Sequence, residues 1–358
     1  MYATFILSNH TVCGRTSKTM NTKKLTAGFL GLIMAAAMAQ AEGPTISCKI
    51  DGTNLTVTYT GELYQSTDAV KWIKVDSASS PYQVTVEGKS LFFCTKDESE
   101  NKNFTIPLSD TVNLDMIWIE PGTFMMGSPK NELDRYDDET QHSVTISSAF
   151  WIGKYEVTQS QYKAVMDFNP CEFIGANLPV EKVSWNEAME FCSRLTDIER
   201  EAGRLPEGYE YTLPTEAQWE YACRAGTTTA LNSGKDLSNT KECPEMDEVG
   251  WYWYNGGRED YYNDSICTHP VGQKKPNAWG IYDMHGNVQE WCKDWYEDDY
   301  PSSSVTDPTG PGSGSTRVLR GCCWGSDAVC CRSAYRSSYF PSDRNNSMGF
   351  RVALSRVQ

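Results

Sequence analysis

The 358-residue chain reads as an α+β protein, with a small β-rich module ahead of a larger, irregular mixed domain. Three observations predict this. Short runs with period-two alternation crowd the stretch after Glu42. From Leu114 the composition shifts towards Trp, Gly and Pro. Past that shift, three Ser/Thr-x-x-Glu/Gln boxes mark helix starts between further short strands.

In the first module, Thr45–Ile50, Leu55–Tyr59, Tyr82–Val86 and Leu91–Cys94 are the expected strands, with a Glu87-Gly88 turn. Several short strands joined by turns suggest a sandwich, and Cys48 with Cys94 is one pairing that would clip it. This module carries no recognisable chemistry. In the second, Met116–Ile119 and Thr123–Ser128 are strands around a Glu120-Pro121-Gly122 turn. Asn131–Gln141 is an acidic loop, and Val144–Ile146 and Phe150–Tyr155 are strands again. The capping boxes are Thr158/Gln161, Ser184/Glu187 and Thr215/Gln218. In each, a side-chain oxygen satisfies a free N–H at the helix start. The middle helix should bury Trp185, Ala188, Met189, Cys192 and Leu195. Thr227–Asp264 has no period and reads as surface loops, with Trp251–Tyr254 packed in the core. Gly280, Gly286 and Asn287 suit tight turns, and Asp294–Thr309 reads as a loop.

The expected organisation is therefore an upstream and signal segment over 1–41, a β domain over 42–113 and a mixed domain over 114–358. The signal reading rests on Lys23-Lys24, the apolar run Leu25–Met38 and the Ala39-Gln40-Ala41 cleavage pattern. It implies export, to the periplasm, the cell surface or the medium, with no transmembrane segment after cleavage. It also permits disulfides.

Composition excludes several functions. A net charge of −15 argues against nucleic acid, because phosphates need a basic footprint. His142, His269 and His285 are not spaced as metal ligands, and there is no HExxH, CxxC pair, P-loop or GxSxG.

The last forty residues, about 317–358, stand apart. Arg317–Gly321 and Gly349–Val352 read as buried strands. The insert Cys322–Pro341 between them is rich in Cys, Ser, Gly and Tyr and has no Lys, Glu, Gln or Met. Tyr, Ser and Gly are residues of binding surfaces, combining rigid amphipathic rings with small adaptable groups.

A family resemblance is carried by Gly122–Ser128, Tyr155–Thr158, Pro179-Val180-x-x-Val183-Ser184-Trp185, Leu213–Glu220, Gly286–Trp291, Arg320-Gly321 and Cys331–Arg336, in that order. From about Met116 to Arg356 the chain closely resembles the formylglycine-generating enzyme (sulfatase-modifying factor) domain. The resemblance implies an irregular C-type-lectin-like α+β fold. The family's oxidases hold copper(I) with two cysteines in the pattern Trp-x-Cys-x4-Cys. Here that pattern reads Trp324-x-Ser326-x4-Cys331. A hydroxyl is a poor ligand for a soft cation, so two-thiolate coordination at these positions is lost. Cross-pairing of Cys322/Cys323 with Cys330/Cys331 is the expected use of the remaining thiols. The resemblance also implies a calcium site at the turn, with the Asp283 carboxylate and the carbonyls of Met284, Gly286 and Val288 as hard oxygen ligands.

The terminal segment further resembles the variable region of proteins diversified by retroelements, in which AAY codons are rewritten as NNY. Cys322, Cys323, Gly325, Ser326, Asp327, Val329, Cys330, Tyr335, Ser337, Ser338, Tyr339 and Phe340 all fall within the NNY-encoded set. That resemblance implies a non-enzymatic protein displaying these twelve positions, mostly exposed on one patch, to a macromolecular ligand, most simply a protein. Val318, Leu319, Trp324, Phe350 and Val352 would be core. Tyr335, Tyr339 and Phe340 would anchor the ligand, and Ser326, Asp327, Ser337 and Ser338 would supply polar contacts. No cofactor is then required. The alternative is a copper- and oxygen-dependent oxidase acting on a sulfatase cysteine.

Overall fold

The computed structural model describes residues 102–256, 267–300 and 302–357, together with strand segments of the first hundred residues. The chain divides into two compact units at Lys102/Asn103. This is earlier than the expected 113/114, because Phe104–Pro107 pairs antiparallel with Asn113–Ile119 and so belongs to the second unit.

In the first unit, Ile46–Asp51, Asn54–Tyr59 and Tyr82–Thr85 form an antiparallel sheet. Leu91–Lys96 and Glu62–Ser66 pair in a second sheet, continued by Ile73–Lys74, Tyr2–Ser8, Thr11–Thr16 and Leu25–Thr26. Cys48 and Cys94 stand in different sheets, and their side chains lie outside the described ones. The expected signal segment also lies outside the described residues, apart from Leu25–Thr26.

The second unit is a mixed α+β fold. A five-stranded antiparallel sheet runs in the order Phe104–Pro107, Asn113–Ile119, Phe150–Gly153, Ala353–Arg356, Tyr209–Thr212. The C-terminal strand thus sits inside the sheet, between Phe150–Gly153 and Tyr209–Thr212. A four-stranded sheet runs Ser337–Tyr339, Arg317–Arg320, Gln289–Trp295, Met348–Gly349. The Asp294–Thr309 region expected as loop therefore begins with the end of a strand and contains a second short one, Val305–Thr306.

The three main helices start where the boxes place them: α1 Gln159–Met166, α2 Trp185–Glu201 and α3 Glu216–Arg224. All three boxes are reciprocal, with the cap hydroxyl accepting the N3 amide and the N3 side chain accepting the cap amide. α2 buries Ala188, Phe191, Cys192 and Leu195, while Trp185 and Met189 are only half-buried at its flank.

Among the described residues, hydrophobic burial is divided among three clusters. The first packs Tyr162, Phe191, Trp291, Leu319 and Phe350, and the second packs Ile119, Val144, Phe150, Trp219 and Val318. Successive residues of one strand, Val318 and Leu319, feed different clusters because strand side chains alternate faces. Each such side chain contributes about 1.5–3 kcal/mol when fully buried.

The third cluster corrects the surface-loop reading of 227–256. Ala230, Leu231, Leu237, Met246, Val249 and Tyr252 are buried there with Cys322, Val329 and Cys331. A short helix α4, Pro244–Asp247, lies in this stretch. Only part of the Trp251–Tyr254 run is core: Tyr252 is buried, Trp251 and Trp253 half-buried, and Tyr254 exposed. Gly286 lets the Gly250–Trp251 and His285–Gly286 strands meet, since a Cβ there would stand 1.9 Å from the Trp251 carbonyl oxygen.

Candidate functional site

The terminal segment is held by four buried arginines, each neutralised by acids far away in sequence. Arg320 donates to Glu216 Oε1 (2.7 Å) and Glu220 Oε2 (2.6 Å). Arg336 grips both oxygens of Glu216 (2.7 and 3.0 Å) and lies 3.9 Å over the Tyr300 ring. Arg332 donates to both oxygens of Glu139 (2.8 and 2.7 Å) and to Glu132 (2.5 Å). Arg351 pairs with both oxygens of Glu290 at 2.6 Å. Bidentate guanidinium–carboxylate pairs fix orientation as well as position.

Glu216 and Glu220 sit one turn apart on α3, so one helix face anchors two arginines of the segment. Burial alone would raise the Glu216 pKa, but the guanidinium groups of Arg336 and Arg320 outweigh it and bring it down to about 2. At Asp294 the nearby charges of Arg336 and Lys293 do not outweigh burial. Burial, with Glu216 beside it, pushes its carboxyl up to about 7, and its Oδ2 accepts the Glu216 amide.

Between these arginines the twelve candidate positions divide. Gly325, Tyr339 and Phe340 are exposed. Ser326, Asp327, Cys330, Tyr335, Ser337 and Ser338 are half-buried. Cys322, Cys323 and Val329 are buried, each 7 % exposed, against the expectation of a mostly exposed set. Cys322 and Val329 belong to the third cluster. The accessible positions form two groups along the chain. One is the turn 325–327 with Cys330 and Tyr335; the other is the edge strand Ser337–Tyr339 with Phe340. Buried Arg332–Ala334 interrupt the first group, and buried Arg336 separates it from the second. Val318, Leu319, Phe350 and Val352 are fully buried as expected. Trp324 is instead half-buried, its edge against Phe173 and its Nε1 donating to the Asn346 carbonyl.

The cysteines of the segment are free thiols, not cross-paired disulfides. The Cys322 thiol donates to the Ser326 hydroxyl (2.7 Å), and Cys323 Sγ lies 3.3 Å from the same oxygen. Ser326 thus occupies the first ligand position of the family pattern with a hydroxyl already engaged by thiols. Cys331 donates to the Asp327 carbonyl at 3.7 Å. These residues do not fit the two-thiolate copper pattern.

At the turn expected to bind calcium, Asp283 is buried. Its Oδ2 accepts the Gly272 amide (2.7 Å), while Oδ1 is buried with no partner. Burial raises its pKa to about 6. Glu156 nearby, raised well above the usual carboxylate range by burial and by Asp283, accepts from Asn287 and the Val288 amide. The Cys223 thiol donates to the Met284 carbonyl at 3.9 Å. Among the described residues, no three of His, Cys, Asp and Glu are arranged to hold a metal ion, and no helix is long and apolar enough to cross a membrane.

The arginine–carboxylate frame is the feature that residue-by-residue reading missed. Its sequence signal was Arg320, Arg332, Arg336 and Arg351 recurring among otherwise small and apolar residues.

Residues 105–356 match the family model for the sulfatase-modifying factor enzyme 1-like domain. The chain is 32% identical over 280 residues to a chaperone protein LppX from Paenibacillus barcinonensis, covering 69% of this chain and 91% of that protein. It is 37% identical over 187 residues to the formylglycine-generating enzyme of Streptomyces coelicolor, covering 49% of this chain and 52% of the enzyme. It therefore spans roughly half the length of that enzyme. Among solved structures, it is similar to Treponema denticola variable protein 1, with a TM-score of 0.59 and 31% identity, covering 70% of this chain and 98% of that one. PvdO from Pseudomonas aeruginosa aligns with a TM-score of 0.57 and 28% identity, covering 70% and 97%. The chain belongs to the sulfatase-modifying factor enzyme 1-like family.

Proposed function

We propose that this protein is an exported, non-enzymatic display protein. Its C-type-lectin-like domain presents a retroelement-diversified patch to a macromolecular ligand, most simply another protein. The observation that carries this reading is the division within residues 317–358. Four arginines are locked to distant carboxylates, and nine of the twelve candidate positions between them reach solvent. Exposed positions tolerate exchange at about half a kcal/mol or less, and a rigid frame limits the entropy lost on binding. The likeness to a variable protein supports the reading, as does the hydroxyl of Ser326 where an oxidase would carry a thiol. Tyr339 and Phe340 are the foremost anchors, with Tyr335 beside Tyr136 behind them. The orphaned Asp283 Oδ1 supports calcium at the 283–288 turn, where it would be structural.

Sequencing the 3′ end of the gene across a dividing population tests the reading. Substitutions should concentrate at the twelve codons, templated by an adenine-rich repeat near a reverse-transcriptase gene. A uniformly conserved 3′ end would overturn it. So would aldehyde formation on a cysteine-containing sulfatase peptide incubated with the copper-loaded protein.

A further inference from the structure

A cavity of about 60 Å³ opens beside the start of α3. That is room for about four waters. None of the residues lining it is among the twelve candidate positions, so it stands apart from the display patch. Asp294 lines it and is only 4% exposed. The Asp294 Oδ2 accepts the Glu216 amide at 2.9 Å, while Oδ1 accepts no hydrogen bond from any described residue. Gly310 leaves the space over that oxygen open, since a Cβ there would stand 3.4 Å from it.

The neighbouring groups are committed elsewhere. Arg336 lines the cavity, but its Nε and Nη2 hold Glu216 and its Nη1 donates to the carbonyls of Glu297 and Asp138. Tyr300 donates its hydroxyl proton to Glu216, and His142 uses Nδ1 on the Thr140 carbonyl. Lys293 acts on Asp294 through its charge alone. A buried carboxyl therefore faces open space with one oxygen unused, which is costly until a partner arrives.

We propose that this cavity binds the ammonium head of a primary amine, with Asp294 Oδ1 as its counter-ion. A metal ion fits poorly, because no three of His, Cys, Asp and Glu among the described residues are arranged to hold one. A guanidinium fits poorly as well. Its planar fork asks for both oxygens of a carboxylate, and Oδ2 is already taken. An ammonium is a compact point charge that a single oxygen can receive. Met126 and Pro311 supply apolar wall for the methylenes behind it, and the exposed Glu297 and Asp299 give the open side a negative field that draws cations in.

Amine binding and Asp294 ionisation are linked, and the carboxyl's proton leaves to solvent as the ammonium enters. Burial, then Glu216, hold that carboxyl up to about 7 against the opposing charges of Arg336 and Lys293. From about pH 6 to about pH 8 the ionised fraction rises from roughly a tenth to roughly nine tenths, so the apparent affinity should rise about tenfold.

The test titrates propylammonium chloride into the full-length protein, against sodium chloride at matched ionic strength, and reads the melting temperature at those two pH values. Propylammonium should stabilise the protein, and more so at the higher pH. Asp294→Asn keeps an acceptor for the Glu216 amide and should bind about tenfold more weakly at the higher pH, with no rise left. His142→Gln should keep the rise, and its loss there would transfer the effect to His142 and overturn the assignment. Nα-acetyl-lysine amide carries the same head on a blocked backbone. Its binding names a protein lysine as a source, its exclusion names a free amine, and both results uphold the head-group assignment. Propanol that stabilises as well as propylammonium overturns the proposal. So does binding to the parent protein that ignores pH, a result that needs no variant to fold. A folded Asp294→Asn that binds unchanged also overturns it.

Discussion

Arg320 and Glu216 meet at 2.7 Å where α3 begins, both shut away from water, and Arg336 grips both oxygens of the same carboxylate. One acid thus serves two cations. Replacing it by Gln keeps a hydrogen-bond acceptor but leaves uncompensated positive charge in the core. Breaking a buried pair in this way costs about 3–5 kcal/mol. Urea denaturation of Glu216→Gln should show that loss as a lower midpoint with an unchanged slope. A loss below about 1 kcal/mol would mean that the pair behaves like a solvated one.

The two buried acids Asp294 and Glu216 give opposite pH signatures. Glu216 is held down to about 2, so its contribution is present above the ordinary carboxylate pKa and disappears as pH falls through about 2. Asp294 is raised to about 7, first by burial and then by Glu216. Its contribution is whole below its unfolded pKa and drains away as pH climbs through 7. Asp294→Asn keeps an acceptor for the Glu216 amide and abolishes that loss. The variant should gain on the order of 1 kcal/mol or more relative to the parent at about pH 8 compared with about pH 4. Equal differences at both pH values would refute the assignment.

Within the terminal segment, exchange should be cheap or costly according to exposure. Tyr339 and Phe340 are 40% and 58% exposed, so their double replacement by Ala should shift stability by roughly half a kcal/mol per site or less. Val329→Ala, at 7 % exposure, should cost about 1–3 kcal/mol through the cavity it leaves. Thermal melts of the two variants side by side decide it, and reversed ranking would show that the accessible groups have been misplaced.

Ser184→Ala removes the hydroxyl that accepts the Glu187 amide at the start of α2. The expected cost is about 1 kcal/mol, and Ser184→Thr should restore most of it. Failure of threonine to restore stability would mean that the loss in Ser184→Ala does not come from the hydroxyl.

The helices were legible because their signals are local. Thr158, Ser184 and Thr215 each stand three residues from the partner that completes the box. Strand alternation in Val318–Leu319 was legible for the same reason. The third cluster was not, since Leu231, Leu237, Met246 and Tyr252 follow no helical or strand period and gather only through turns. The arginine frame was hidden differently. Arg332 and Glu139 are separated by 193 positions, and no local pattern pairs them. The same cluster accounts for the twelve candidate positions. Codon class marked out a set, but three of its members face inwards, and only the path of the backbone reveals which.

The left-handed turn at Cys322 bears on heredity as well as on shape. A φ of 57° is tolerated by Gly, Asn and Asp and resisted by Val, Ile and Thr. If position 322 is rewritten as proposed, the fold disfavours branched residues there. Descendants should therefore show a narrower alphabet at this position than at Phe340.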